Sequence, residues 1–241
     1  VEIEADQTPS SADWVFGNSD YAPLSPTQIL IAPLISSLSI LSILSLPSKS
    51  ITPVSLPSPS DPYVSTSHIT PLSSTSILFT GTTNAKPSSL VTLDLAPNSS
   101  SNPAEIPATY KTLQTSSSSS IDPGYFSAAR GLEFDVPLPN SPKPVNLNVL
   151  FYPPQNKDYS GGEDGEKPPA IVRCHGGPTS RAVPGLSWVI QYYTSRGFVW
   201  IDVNYGGSGG FGREYRFVLS PLSLSLFPPQ PRIPSTHLPG R

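Results

Sequence analysis

FVWIDVNYGGSGGFGREYR, residues 198 to 216, runs from a mostly apolar stretch into a glycine-rich turn and then into a segment able to start a helix. FVWIDVNY (198–205) has the nearly unbroken apolar character of a strand buried on both faces of a parallel sheet. Upstream, LSWVIQYYTSRG (186–197) sets Leu186, Val189, Ile190 and Tyr193 on one helical face. Ser187 stands where it can cap the start of that helix, and Arg196-Gly197 where they can stop it. AIVRC (170–174) precedes it as a short buried strand, followed by the turn HGGPTS. Strand, glycine turn, helix, strand is a βαβ unit, which calls for a parallel pair joined by a right-handed crossover.

The glycine turn satisfies two patterns at once. Gly207, Gly209 and Gly212 fit GxGxxG, the dinucleotide-binding loop, whereas Gly206, Ser208 and Gly210 fit GxSxG, the nucleophile elbow of serine hydrolases. A dinucleotide loop lies at the first strand-to-helix turn, with an acidic residue about 20 positions on for the ribose. Here the loop follows the last recognisable strand, and Glu214 is the final acidic residue of the chain. The dinucleotide reading therefore fails, and no cofactor is expected. Ser208 does follow a strand, with GREYRFV able to begin a helix. A serine needs a base oriented by a carboxylate, however, in the order Ser, acid, His. No acid follows Glu214, and His237 lies in a proline-rich tail. A triad in that order cannot be assembled around Ser208, which reads as a loop hydroxyl.

His175-Gly176-Gly177 admits two readings. One is a tight turn into a helix. In the other, glycines after a central strand let backbone N–H groups approach and stabilise an oxyanion. Cys174, beside it, reads as a buried strand residue with nothing nearby to activate a thiol.

The first half of the chain has a different grammar. ILIAPLI (29–35), LSILSIL (38–44), YVSTSHI (63–69), SILFTG (76–81) and SLVTLDL (89–95) are short apolar runs bounded by turn-forming residues. Their spacing suggests a meandering all-β region, a sandwich or part of a propeller. TSSSSSID (115–122) reads as a linker. GLEFDV (131–136) and VNLNVLFY (145–152) then alternate as an antiparallel pair across a proline-rich turn. Past Arg216 there is no convincing periodicity, and an irregular tail is expected.

Composition narrows the function classes. With 31 prolines, 13% charged residues and no methionine in 241 residues, the chain does not read as one well-filled core. The net charge of −3 provides no basic field for a nucleic-acid partner. Cys174 is the only cysteine, which rules out an internal disulfide or a CxxC metal site and leans toward a reducing, cytoplasmic compartment. ILIAPLISSLSILSILSLP (29–47) approaches the length of a membrane span. Pro33 and its serines favour a pair of buried strands instead, and no membrane partner is expected. Asn98-Ser99-Ser100 is a formal glycosylation sequon that reads as a chance match in a serine-rich segment.

FYPPQNKDYSGG, GEKPPAIVRCHGGPTSRA, SWVIQYYTSRGF and DVNYGGSGGFGREYR together resemble the start of the catalytic domain of the prolyl oligopeptidase family. The branch is that of acylaminoacyl-peptidases and dipeptidyl-aminopeptidase-like enzymes. DWVFGNSDYAPL (13–24) resembles that family's late propeller sequence. The resemblance implies a serine peptidase with a β-propeller followed by an α/β-hydrolase domain. Residues 1–125 would hold the last propeller blades and a linker, 126–216 the N-terminal part of the hydrolase domain, and 217–241 a non-homologous tail. The chain would then be a fragment incomplete at both ends. The resemblance makes the His-Gly-Gly turn an oxyanion loop, with Gly177 the N–H donor, Gly176 shaping the turn and His175 anchoring it. The nucleophile, acid and base of the family do not appear after GREYR, so the chain alone is expected to be inactive. A peptide is the implied substrate, and the complete enzyme could be a homo-oligomer. The competing expectation is a noncatalytic, peptide-binding derivative of such a peptidase.

Overall fold

The computed structural model describes residues 17–35, 38–58, 61–96, 104–118, 121–137, 144–163, 165–177 and 180–217. The N-terminal part of DWVFGNSDYAPL, the sequon at Asn98 and the tail from residue 218, with His237, lie outside the described residues.

The first sheet contains β1 (Tyr21–Ser25), β2 (Gln28–Ile31), β5 (Ser42–Ser45) and β6 (Ser50–Pro53), hydrogen-bonded in that order, with a small β3 (Leu34–Ile35) and β4 (Leu38–Ser39) pair between β2 and β5. Each of the single strands expected over 29–35 and 38–44 is thus broken in two. Pro33 has no N–H to give the ladder, and its carbonyl instead accepts from Ile40 N at 3.1 Å, folding the chain into the side pair. β1 escaped the sequence pattern because it holds Pro23, which an edge strand tolerates.

The second sheet is an antiparallel meander of β7 (Ser65–Pro71), β8 (Ser76–Thr82), β9 (Ser89–Leu95) and β10 (Ala108–Thr115). Alternation along β8 and β9 sends Ile77, Phe79, Val91 and Leu93 inward, as a half-buried sheet requires. They join Leu30, Ile43 and Ile69 in a core shared by both sheets. Tyr63 packs edge-on to Phe79 at 5.2 Å between centroids. Gly81 permits this, since a Cβ there would stand 2.6 Å from the Tyr63 ring. β10 escaped the sequence reading because ATYKTLQT is an exposed edge with no apolar alternation. Two consecutive four-stranded antiparallel sheets over one core have the form of propeller blades.

The expected linker over 115–122 is partly structured. β10 runs through Thr115, and the Asp122 carboxylate accepts from Gly124 N at 2.8 Å to cap a 3-10 turn at Pro123–Tyr125.

The third sheet contains β11 (Arg130–Val136), β12 (Val145–Tyr152), β13 (Ala170–Cys174) and β14 (Val199–Asn204), in the order β11-β12-β14-β13. β11 pairs antiparallel with β12 in the register expected of a hairpin. β13 and β14 are parallel, joined through α1 (Trp188–Thr194), and α2 (Gly212–Phe217) follows the glycine turn. The βαβ unit is as the sequence implied, with two corrections. Among the described strands β13 is an exposed edge of the sheet rather than a buried strand, because β12 takes the inner position beside β14. Val172 is 63% exposed and Cys174 is also exposed. The buried face of α1 is also rotated from the apolar one expected, since Val189 is 58% exposed while Ile190, Gln191 and Thr194 are buried. Gln191 makes this rotation affordable by pairing with the backbone of Ser127. Its Oε1 accepts from Ser127 N at 2.7 Å, and its Nε2 donates to Ser127 O at 3.1 Å. Ser187 is the N-cap residue but its side chain makes no cap bond. Gly197 ends the helix with φ of 88°, the left-handed geometry glycine accepts.

Candidate oxyanion loop

The parallel pairing of β13 with β14 brings the C-terminal ends of both strands together, Cys174 opposite Val203. The turns that follow them are therefore neighbours, although they lie more than a helix apart in sequence. In an open parallel sheet, this carboxyl end is where ligands bind.

His175, Gly176 and Gly177 form the first turn. Gly177 has φ of 56°, a left-handed conformation that strains any residue with a Cβ. A Cβ at Gly176 or Gly177 would meet nothing within 4 Å, so the space beside the turn is open. Among the described residues, the Gly176 and Gly177 N–H groups have no hydrogen-bond partner. Both glycines are exposed. Two adjacent unsatisfied amides at an open turn suit a developing negative charge.

The second turn, Tyr205 to Phe211, braces the first. Gly207, Gly210 and Gly212 have φ of 103°, 90° and 83°, left-handed geometry that accounts for these three of the glycines. Ser208 is 0% exposed. Its Oγ lies 2.6 Å from His175 Nε2 and 2.7 Å from Tyr205 O. The Tyr205 ring stacks on His175 at 4.4 Å, and its hydroxyl donates to His175 O at 3.0 Å. Beyond the glycines, Gly209 N donates to Ser180 O at 3.0 Å. Fully buried Asn204 accepts from Ala182 N at 2.7 Å and donates to Ala182 O at 3.3 Å.

The separation of Ser208 and His175 is that of a nucleophile and its base. The rest of a triad is not assembled around them. His175 Nδ1 faces Gly176 O at 3.2 Å rather than a carboxylate, and the buried Oγ offers no face to a substrate. The sequence singled out His175 and Ser208 separately but missed their contact, along with Tyr205 and Asn204. No spacing signal links residues 33 positions apart. Only the parallel register of β13 and β14 does so.

The electrostatics beneath the turns are set by buried polar groups. Asp202 on β14 is buried, accepts from Trp200 Nε1 at 3.0 Å and lies 3.9 Å from Arg173 Nε. Burial, and then the Asp202 carboxylate, push the Tyr152 hydroxyl well above its ordinary value. Arg181, just past the first turn, is lowered by burial against the opposing pull of Asp20. Among the described residues no group of His, Cys, Asp and Glu could hold a metal ion. No described helix is long and apolar enough to cross a membrane.

No family model matches the chain. It is 30% identical over 97 residues to dipeptidyl aminopeptidase BIII of Pseudoxanthomonas mexicana, a stretch covering 37% of this chain and 14% of that protein. Among solved structures, it is similar to a puromycin-hydrolyzing peptidase of Mycobacterium tuberculosis, with TM-score 0.71 and 26% identity over 89% of this chain and 30% of that one. A puromycin hydrolase gives TM-score 0.71 and 27% identity over 88% of this chain and 29% of that one. A prolyl endopeptidase shares the fold at TM-score 0.57 and 15% identity, over 90% of this chain and 27% of the other. The chain thus spans about a third or less of the length of these relatives. The blade-like sheets, the His-Gly-Gly turn with its glycine brace and these likenesses lead to one conclusion: the chain is similar to one segment of such peptidases, consistent with the prolyl oligopeptidase family.

Proposed function

We propose that the chain is the propeller-to-hydrolase segment of a serine-type peptidase that removes acylated or free N-terminal residues from peptides. In this reading, residues 1–125 are late propeller blades and a linker, 126–216 begin the α/β-hydrolase domain, and 217–241 are a tail. The third sheet supports the assignment with its parallel βαβ unit and a ligand-ready turn at the carboxyl end of β13.

The observation that carries the reading is Gly177, held at φ of 56° with its amide unpaired among the described residues. In the complete reaction a serine attacks the scissile carbonyl, and the Gly177 N–H with the amide after the nucleophile holds the oxyanion. Gly176 shapes the turn and His175 anchors it. Loss of one such donor costs about 10²- to 10³-fold in rate. Without the attacking serine, its base and its acid, this chain turns over no substrate.

A fluorophosphonate probe, which labels activated serines, tests this on the purified chain. No labelling is expected. Stoichiometric labelling that disappears in Ser208→Ala would overturn the proposal and make Ser208 and His175 a working pair.

A noncatalytic peptide-binding role rests on a different observation. A cavity of about 370 Å³ lies between the propeller sheets and the third sheet, lined by Leu38, Pro62 and Val64 on one side and Ala129, Leu132 and Phe211 on the other. Saturable calorimetric binding of N-acetylated peptides, unchanged by prior fluorophosphonate treatment, would favour that role.

A further inference from the structure

We propose that Ser208 is a positioning residue for the oxyanion loop: with Tyr205 it fixes His175 as the Nε2–H tautomer and so sets the turn that presents the Gly176 and Gly177 amides. Its catalytic meaning rests on the oxyanion reading above. Its geometry does not.

The Ser208 hydroxyl has one proton and two short contacts, Tyr205 O at 2.7 Å and His175 Nε2 at 2.6 Å. If the proton pointed to His175, the buried Oγ would face the Tyr205 carbonyl oxygen with no hydrogen between them, an uncompensated repulsion away from water. If it points to Tyr205 O, His175 Nε2–H donates to Oγ and both contacts are hydrogen bonds. This tautomer gives up an Nδ1–H bond to Gly176 O, but that contact is the longer at 3.2 Å and is exposed, so water can take its place as the partner of both acceptors. The pairing therefore selects the tautomer that holds the loop rather than the one that activates a nucleophile.

The rest of the contact works to the same end. Stacking on Tyr205 fixes the ring plane, and the Tyr205 hydroxyl fixes the His175 carbonyl, one peptide before Gly176. Past the glycines, Gly209 N holds Ser180 O, and Asn204 holds both backbone groups of Ala182. The exposed turn is gripped on both flanks by one buried loop. This preorganises its amides without using them.

The test is NMR of the 241-residue chain, with acetate as a small oxyanion probe. Nitrogen-15 imidazole spectra should place the His175 proton on Nε2 with slowed solvent exchange, and acetate should move the Gly176 and Gly177 amide signals. Ser208→Ala should abolish the slow exchange and weaken acetate binding about tenfold, the scale of one lost charge-linked hydrogen bond. Tyr205→Phe keeps the ring stack and should weaken acetate binding by about threefold while the proton stays on Nε2. A wild-type proton on Nδ1 overturns the proposal. So does a natively folded Ser208→Ala with unchanged ring exchange and unchanged acetate binding. If Ser208→Ala does not fold, Tyr205→Phe decides the matter: acetate binding equal to wild type overturns the proposal. If acetate moves neither glycine amide in the wild type while Ser208→Ala still releases the ring proton, the positioning contact stands and the oxyanion reading falls.

Discussion

The propeller sheets and the third sheet bury their apolar side chains in different ways. In the first two sheets, strands joined by short connections face one another across a common core of Leu30, Ile43, Ile69, Ile77, Phe79, Val91 and Leu93. The third sheet buries a smaller cluster of Leu150, Tyr152 and Trp200 with Ile190 of α1, and its edge strands, β11 and β13, are mostly exposed. The first arrangement is stabilised by packing between sheets. The second relies more on buried polar pairings, such as Gln191 with Ser127 and Asn204 with Ala182. The turn proposed to hold the oxyanion sits on the second. Loops that carry function are commonly found where a scaffold positions them without enclosing them.

The largest effect expected from this contrast is on stability. Phe79→Ala should cost about 3–5 kcal/mol, because it opens a cavity at a site with no exposure and neighbours on two sheets. Ile190→Ala should cost less, about 2–3 kcal/mol, at the low end for aliphatic truncation, since one side of its small cluster is open to relaxation. Urea unfolding of both variants checks this, followed by tryptophan fluorescence. All three tryptophans of the chain lie outside the described propeller sheets, and Trp200 reports the third sheet. Equal costs, with one shared transition, would break the contrast between the two regions.

A chemical probe of the open edge gives the next effect. Cys174, expected from the sequence to be buried, should react with iodoacetamide under native conditions as readily as in denaturant. Protection that vanishes on dilution would mean that a second molecule covers β13, as exposed sheet edges invite.

The smallest effect is a matter of pH. The Tyr125 hydroxyl and then the Lys157 ammonium hold the Asp158 carboxyl below its ordinary range, all three at the surface. A depressed carboxylate contributes stability that is present above its unfolded pKa of about 3.9 and lost as pH falls through the lower folded value. Carbon-13 titration of Asp158 should follow that direction, and Tyr125→Phe should move its midpoint up toward the ordinary range. An unmoved midpoint would leave Lys157 as the sole cause.

The sequence disclosed the βαβ unit because FVWIDVNY and the stop at Gly197 are local signals that agree with one another. It disclosed β8 and β9 because Ile77, Phe79, Val91 and Leu93 alternate. It did not disclose β10, whose polar residues carry no period, nor the exposure of β13, because an apolar run does not say which strand lies at the edge. For the candidate site, the His-Gly-Gly turn was visible as a motif. Its brace was not. The contact of Ser208 with His175 depends on strand register, and hydrophobic pattern leaves register between distant parallel strands open.

The order of strands in the third sheet also bears on how the chain is made. Both neighbours of β14 precede it in sequence, with Asn148 pairing to Asn204 on one side and Cys174 to Val203 on the other. During synthesis, which proceeds at about 5–20 residues per second, β13 emerges before the only described strand it pairs with. The meander of β7 to β10 can close as it appears, each strand finding the one before it. Non-local pairing is slow, so the His175 turn lacks its brace until β14 arrives, and the same loop that ends β14 then fastens it.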